Sequence, residues 1–144
     1  MTWTATTKRW SVELPAEFGH RDITADLEAL VAEAGLQTGG LTVQLVGSTG
    51  AITTIEYEAG ALRDLRRALD AVAPADGDYA HNARWGDGNG FSHVRSALLK
   101  TGIAVPVVGG SLALGTWQQV VVLNLDNRPR RREVVAVVMG EKGR

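Results

Sequence analysis

The chain has 144 residues, a length that suits one domain. Hydrophobic residues make up 44% of it and charged residues 22%, which excludes disorder, collagen and coiled coil. Fifteen Lys and Arg against sixteen Asp and Glu leave a net charge of −1, and there is no cysteine. That balance predicts no bulk attraction to nucleic acid or to an anionic membrane. The missing cysteines exclude a disulfide scaffold, a zinc finger, an iron–sulfur cluster and a Cys nucleophile, and they fit a reducing cytoplasm.

Residues 1–15 hold Trp3, Trp10, Val12 and Leu14 among small polar residues, with no apolar segment like a signal peptide. The longest aliphatic run, residues 134–139, is far short of the ~20 residues that span a bilayer. A soluble, cytoplasmic protein is therefore expected. In residues 2–14 the alternation of Trp10, Val12 and Leu14 predicts a strand ended by Pro15. Ile23, Leu27, Leu30, Val31 and Ala34 then recur at helical spacing, with Asp22 or Thr24 as cap and Gly35 as terminator. Gly39 and Gly40 read as a turn into a strand at 41–46, and Gly47-Ser48-Thr49-Gly50 separates it from a second at 51–57. A helix over 59–72 carries Leu62, Leu65, Leu69 and Val72 on one stripe and is closed by Pro74. Residues 74–90 read as a loop and 91–99 as a shorter helix. Strands follow at 103–108, 112–114, 117–125 and 132–139.

The order is β-α-β-β-α-α-β-β-β-β. Strands adjoin strands at both ends, so an α+β fold is expected, an antiparallel sheet or sandwich with helices on one face. Residues 120–123 and 134–138 are apolar without alternation. Such strands need cover on both sides. Helices supply one cover, and a second sheet or another subunit supplies the other, so an oligomer is expected.

The chemistry concentrates between residues 78 and 93. His81, Asp87, Asn89 and His93 fall there with Gly86, Gly88 and Gly90. Imidazole with oxygen ligands suits a borderline divalent ion such as zinc, nickel or manganese, although the spacing matches no standard zinc motif. The same residues also read as a structural Gly/Asp/Asn turn. The glycines precede a helix start, where backbone N–H groups and the helix dipole favour an anion. Twelve arginines against three lysines, with Arg128, Arg130, Arg131 and Arg132 together, suit phosphate or carboxylate; a solvated hairpin is the plainer account. Glu56 and Glu58 share one face of a strand end, as metal ligands or as solvated carboxylates. His20 reads as an exposed or merely packed histidine.

Several stretches together resemble one family, the YjbQ-like (UPF0047) proteins, also catalogued as secondary thiamine-phosphate synthase enzymes. They are Gly47-Ser48-Thr49-Gly50-Ala51-Ile52-Thr53-Thr54-Ile55-Glu56, then Tyr79-Ala80-His81, then Gly86-Asp87-Gly88-Asn89-Gly90-Phe91-Ser92-His93. After them come Val105-Pro106 with Gly109-Gly110, Leu114-Gly115-Thr116-Trp117-Gln118, and Arg128-Pro129-Arg130 with Arg132. The resemblance covers nearly the whole chain as a single domain. It implies an α+β trimer with a cleft built from the histidine segments, often holding a metal ion.

On that resemblance His81, His93 and Asp87 are the expected catalytic residues. The same three, with Glu56 as a further ligand, would hold a divalent zinc, magnesium or manganese ion. Thr49, Asn89, Trp117, Gln118, Arg130 and Arg132 are the expected contacts to substrate or phosphate. The implied activity joins a pyrimidine pyrophosphate to a thiazole phosphate, so the expected partner is a small phosphorylated metabolite, not nucleic acid or a membrane. The alternative is a non-catalytic trimer that binds a metabolite or serves as a scaffold. Ser48 departs from the family pattern, because many members carry a histidine there, and Asn124 stands where many have Glu.

Overall fold

The alternating N-terminal stretch forms β1 (Trp3–Leu14) in the computed structural model, which describes residues 2–143. There follow β2 (Gly19–Asp22), α1 (Thr24–Ala34), β3 (Leu36–Val46), β4 (Gly50–Ile55) and α2 (Ala59–Val72). The second half contains α3 (Ala80–Trp85), α4 (Gly90–Leu99), β5 (Gly102–Val108), β6 (Ser111–Leu112), β7 (Gln119–Asn124) and β8 (Arg130–Lys142). The fold is α+β, and every strand pairing is antiparallel.

Two sheets carry it. The larger has the order β1-β8-β3-β5-β6 and the smaller β2-β7-β4. The main core lies between them. Val12, Leu41, Val43, Leu45, Val134, Ala136 and Val138 of the larger sheet meet Ile52, Val120 and Val122 of the smaller, and Leu27, Leu30 and Val31 of α1 complete it. A second core covers the other side of the smaller sheet, where Ala51, Val121 and Leu123 pack under Leu62 and Leu69 of α2. The chain is thus layered: five-stranded sheet, then α1 beside the three-stranded sheet, then the remaining helices.

This layering explains why β7 is apolar on both faces. Val120 and Val122 face the other sheet, while Val121 and Leu123 face helices. Its two covers come from within the chain. β8 differs. Val134, Ala136 and Val138 are buried, but Val135 and Val137 on the opposite face are only half-covered.

Several local expectations change. Gly39 and Gly40 make no turn; they lie inside β3, where Gly39 pairs with both Gly140 and Val107. A Cβ on either Gly39 or Gly140 would collide with the backbone of the other's strand. These glycines therefore serve a close strand approach. Residues 74–90 are not all loop, since α3 occupies part of them, and β2 is an additional strand. The strand expected at 117–125 begins only at Gln119, and the one at 51–57 ends at Ile55. At the start of α1, Asp22 Oδ1 accepts from Thr24 N (2.9 Å), and the Thr24 hydroxyl accepts from Val120 N (2.8 Å), tying the helix to β7. Gly35 ends α1 in the left-handed conformation, as its position predicts. Among the described residues no helix is long and apolar enough to cross a membrane.

Candidate functional site

Three connections meet at one end of the smaller sheet: the β3–β4 turn, the α3–α4 turn and the β7–β8 turn. The register fixes this, because Asn124 at the end of β7 lies opposite Gly50 at the start of β4. α4 is pinned there by Ser96 Oγ, which donates to Gly50 O at 2.6 Å. Its buried Arg95 donates to Ala73 O (2.8 Å) and Asp70 Oδ1 (2.9 Å), locking α4 to the end of α2. α3 is held to α4 by Asn82, whose Oδ1 accepts from Gly90 N at 2.8 Å. Gly86 and Gly88 both adopt φ of 70°, a conformation that costs glycine nothing. They reverse the chain so that Asp87 returns beside His81.

The result is a histidine pair. The rings of His81 and His93 have centroids 4.4 Å apart, with planes at 39°. His81 Nδ1 lies 3.5 Å from Asp87 Oδ1, within ion-pair range, yet it is buried and makes no hydrogen bond. A buried ring nitrogen without a partner is costly. The amide of Asn89 stands between two carboxylates. One end is 3.3 Å from Asp126 Oδ1, and the other is 3.0 and 3.2 Å from the oxygens of Asp87. An amide has a donor at one end only. One of those contacts therefore brings two acceptors together, an arrangement that a proton or a cation relieves. Beside this cluster Ser48, His93, Lys100 and Thr101 line a concavity of about 370 Å³.

Behind the cluster lies a buried polar network. Asp126, inaccessible to solvent, accepts from Thr49 Oγ1 (2.9 Å), Asn127 N (2.8 Å) and Arg130 Nε (2.9 Å). Burial alone would raise its carboxyl pKa; the hydrogen bonds from Arg130, Thr49, Asn127 and Asn89 outweigh that and hold it below the usual carboxylate range. Arg132 is only 6% exposed. Its Nη2 donates to Thr49 Oγ1 at 2.7 Å and to Asn124 Oδ1 at 2.6 Å, while its Nε is buried without a partner. Burial lowers the pKa of Arg132 and neighbouring Arg130 adds to this, against the opposing pull of Asp126.

The expected site residues thus divide into three groups. His81, Asp87, Asn89 and His93 come together, with Arg130 partly exposed nearby through Asp126. Thr49 and Arg132 are also near; the Thr49 hydroxyl and Arg132 Nη2 are spent on internal hydrogen bonds, while Arg132 Nε is left without one. Glu56, Trp117 and Gln118 lie elsewhere in this chain. Ile55 pairs with Gln119 at the opposite end of the smaller sheet, about 17 Å along the strand from the Gly50 end at ordinary strand rise. Trp117 is 73% exposed there, and Gln118 is occupied by Gly115 N (3.0 Å) and Thr54 Oγ1 (3.2 Å).

The implied metal fits these residues only in part. Among the described residues no three His, Cys, Asp or Glu side chains are grouped to hold an ion. His81 and Asp87 approach as two ligands, His93 lies beside His81 without completing a group of three, and Glu56 is remote at the other end of the smaller sheet. Sequence reasoning missed Asp126, the centre of the buried network. Its signal was a carboxylate two residues past the end of β7, next to the buried Leu125.

A profile of the UPF0047 YjbQ-like proteins matches residues 8–141. A UPF0047 protein of Methanothermobacter thermautotrophicus is 37% identical over 136 residues, covering 92% of this chain and 93% of that protein. One from Synechocystis is 36% identical over 122 residues, covering 83% and 82%. Among solved structures, a YbjQ-like protein of unknown function from Sulfolobus solfataricus superposes with a TM-score of 0.91 at 26% identity, over 97% of this chain and 100% of that one. An uncharacterized conserved protein of the YjbQ/UPF0047 family from Clostridium acetobutylicum gives 0.83 at 29% identity, over 91% and 98%. With nearly its whole length matched in sequence and in fold, the chain belongs to the UPF0047 YjbQ-like family.

Proposed function

We propose that this chain is an enzyme acting on a phosphorylated small molecule at the His81–Asp87–His93 cluster, with thiamine-phosphate-synthase-type transfer as its chemistry. The observation that carries the reading is the buried His81 Nδ1, left without a hydrogen bond 3.5 Å from Asp87 and beside the ring of His93. Two imidazoles with one carboxylate can hold a proton and, when protonated, balance phosphate charge. In the transfer a C–N bond forms to the thiazole nitrogen as the C–O bond to pyrophosphate breaks, and the leaving group takes the electron pair. The side chains of this chain would bind and neutralise that leaving group. A divalent ion, zinc, magnesium or manganese, belongs to this reading as one that arrives with substrate, with phosphate oxygens completing the two ligands His81 and Asp87 offer. Bound, it would stabilise charge on the leaving pyrophosphate.

The reading also includes a homotrimer that covers the outer face of β8, and a cytoplasmic site of action consistent with the cysteine-free sequence. The second reading is a non-catalytic metabolite-binding or scaffold trimer. It is favoured by the incomplete metal ligation among the described residues and by Ser48 in place of the histidine common in the family.

Metal content by mass spectrometry, phosphate titration by calorimetry, and turnover of the pyrimidine and thiazole substrates test the first reading. Parent protein, His81→Ala and His93→Ala are compared. Phosphate or metal binding and product formation, lost in both variants while the melting temperature holds, support the enzyme. Binding without turnover supports the metabolite-binding form of the second reading; neither binding nor turnover overturns the enzyme and leaves the scaffold.

A further inference from the structure

One concavity lies away from the histidine pair and shares no residue with it. It has a volume of about 460 Å³ and is lined by Phe18, His20, Tyr57, Leu62, Arg63 and Arg66. Phe18 and Leu62 are buried at 8% and 6% exposure and make an apolar floor. His20 and Tyr57 make an aromatic wall. His20 Nδ1 is 2.8 Å from Tyr57 Oη, and the rings meet edge to face at 5.3 Å. Phe18 and His20 are likewise edge to face, at 6.1 Å. The wall is held from behind, because His20 lies in β2 opposite Leu123, and Tyr57 N donates to Gln119 Oε1 at 2.9 Å. Such a wall is set before any ligand arrives, which lowers the entropy cost of binding.

Arg63 and Arg66 stand one turn apart on α2 and bring two guanidiniums to the same space. Arg66 makes a single contact with Glu17 (3.3 Å), and among the described residues Arg63 has no ion-pair partner within 4 Å. Guanidinium N–H groups therefore remain free. The N-terminus of α2 contributes nothing, since Glu58 already accepts from Gly60 N (2.7 Å) and Ala61 N (2.8 Å).

An apolar floor, a fixed aromatic wall and a cationic rim together select a planar ring that carries an anionic group. We infer that this concavity is a second binding site, for a small aromatic or heteroaromatic anion, independent of the His81–Asp87–His93 cluster. The ring stacks against His20 and Tyr57 over Phe18, and the anionic substituent pairs with Arg63 and Arg66.

The test uses 1-anilinonaphthalene-8-sulfonate, an aromatic anion whose fluorescence rises on binding. It is titrated against the parent, the double variant Arg63→Gln/Arg66→Gln, His20→Ala and His93→Ala at equal protein concentration. Both arginines are exposed, so the double variant is expected to keep the parent's melting temperature. The inference predicts saturable binding to the parent, at least tenfold weaker in the double variant and weaker in His20→Ala, with His93→Ala unchanged. Affinity within twofold of the parent in the double variant overturns it, as does the absence of saturable binding. Loss in His93→Ala alone also overturns it, by assigning the probe to the first site.

Discussion

Arg132 lies beneath the β3–β4 turn with its Nη2 2.7 Å from Thr49 Oγ1, so the start of β8 holds one of the connections between the two sheets. The same nitrogen reaches Asn124 Oδ1 at the end of β7. One guanidinium thereby ties the two ends of the β7–β8 connection to a turn 83 residues away in sequence. Removing it leaves Asn124 Oδ1 and the nearby Asp126 charge less satisfied in a buried place, a loss larger than that of one exposed hydrogen bond. Arg132→Leu is expected to cost about 3 kcal/mol of stability and to lower the melting temperature by roughly 6–12 °C. Arg132→Lys keeps charge but not the planar fork, so it should recover only part of this. Urea unfolding of the three proteins decides it; a loss below about 0.5 kcal/mol, the level of an ordinary surface change, would refute the assignment.

Asp126 ties the network to pH. Its carboxyl titrates below the usual range in the folded chain, despite burial, because Arg130, Thr49, Asn127 and Asn89 hydrogen-bond its charged form. As pH falls, the unfolded chain takes up the proton first. The stabilisation is therefore complete above the ordinary carboxylate value, about 3.9, and disappears as pH drops through the lower native value. Asp126→Asn should be destabilised against the parent at pH 7, with the gap narrowing below about pH 4. Denaturant unfolding over a pH series measures this, and a gap constant from pH 7 to pH 3 counts against it.

The histidine pair predicts a division between near and far residues. Asp87 faces both His81 Nδ1 and the amide of Asn89. Asp87→Asn should weaken divalent-ion binding at least tenfold, because it removes the only charged ligand of the pair. It should shift stability little, since the Asp87 side chain is half exposed. Glu56→Gln should change neither ion nor phosphate binding, as Glu56 sits past the far end of β4. Calorimetric titration of manganese and of phosphate separates these outcomes. An effect of Glu56→Gln equal to that of Asp87→Asn would mean that the two ends of the smaller sheet meet between copies of the chain.

Much of this arrangement is legible in the sequence because it is local. Period-two and period-3.6 patterns locate β1, α1 and α2, and Gly35 does end its helix. The closeness of His81, Asp87 and His93 follows from their short spacing around two glycines. Other features depend on pairing that no local pattern records. β2 is Gly-His-Arg-Asp, without apolar alternation, and is a strand only because β7 offers it an edge. Gly39 looks like a turn residue until Gly140, a hundred residues away, is placed against it. Trp117 and Gln118 follow the histidines in a motif order that implies one site, yet the register of β4 and β7 sets them at the other end of the sheet.

The outer face of the larger sheet carries the last prediction. Val135 and Val137 are half-covered, and Met139 and Val108 are 46% and 65% exposed. Val137 pairs with Thr42 and Thr7, and the charges nearest to it on this face, Arg9 opposite Val135 and Glu133, pair with each other. Val135, Val137, Thr42 and Ala104 help to line a shallow concavity of about 450 Å³ on this face. A partly apolar sheet face whose charges are paired is suited to burial against another copy. Val137→Arg places a charge at its centre without disturbing the inner core, where Ala136 and Val138 point. Light scattering after gel filtration should give a trimer for the parent and a folded monomer for Val137→Arg, with circular dichroism unchanged. A monomeric parent, or a trimer that survives the substitution, would remove this face from the assembly.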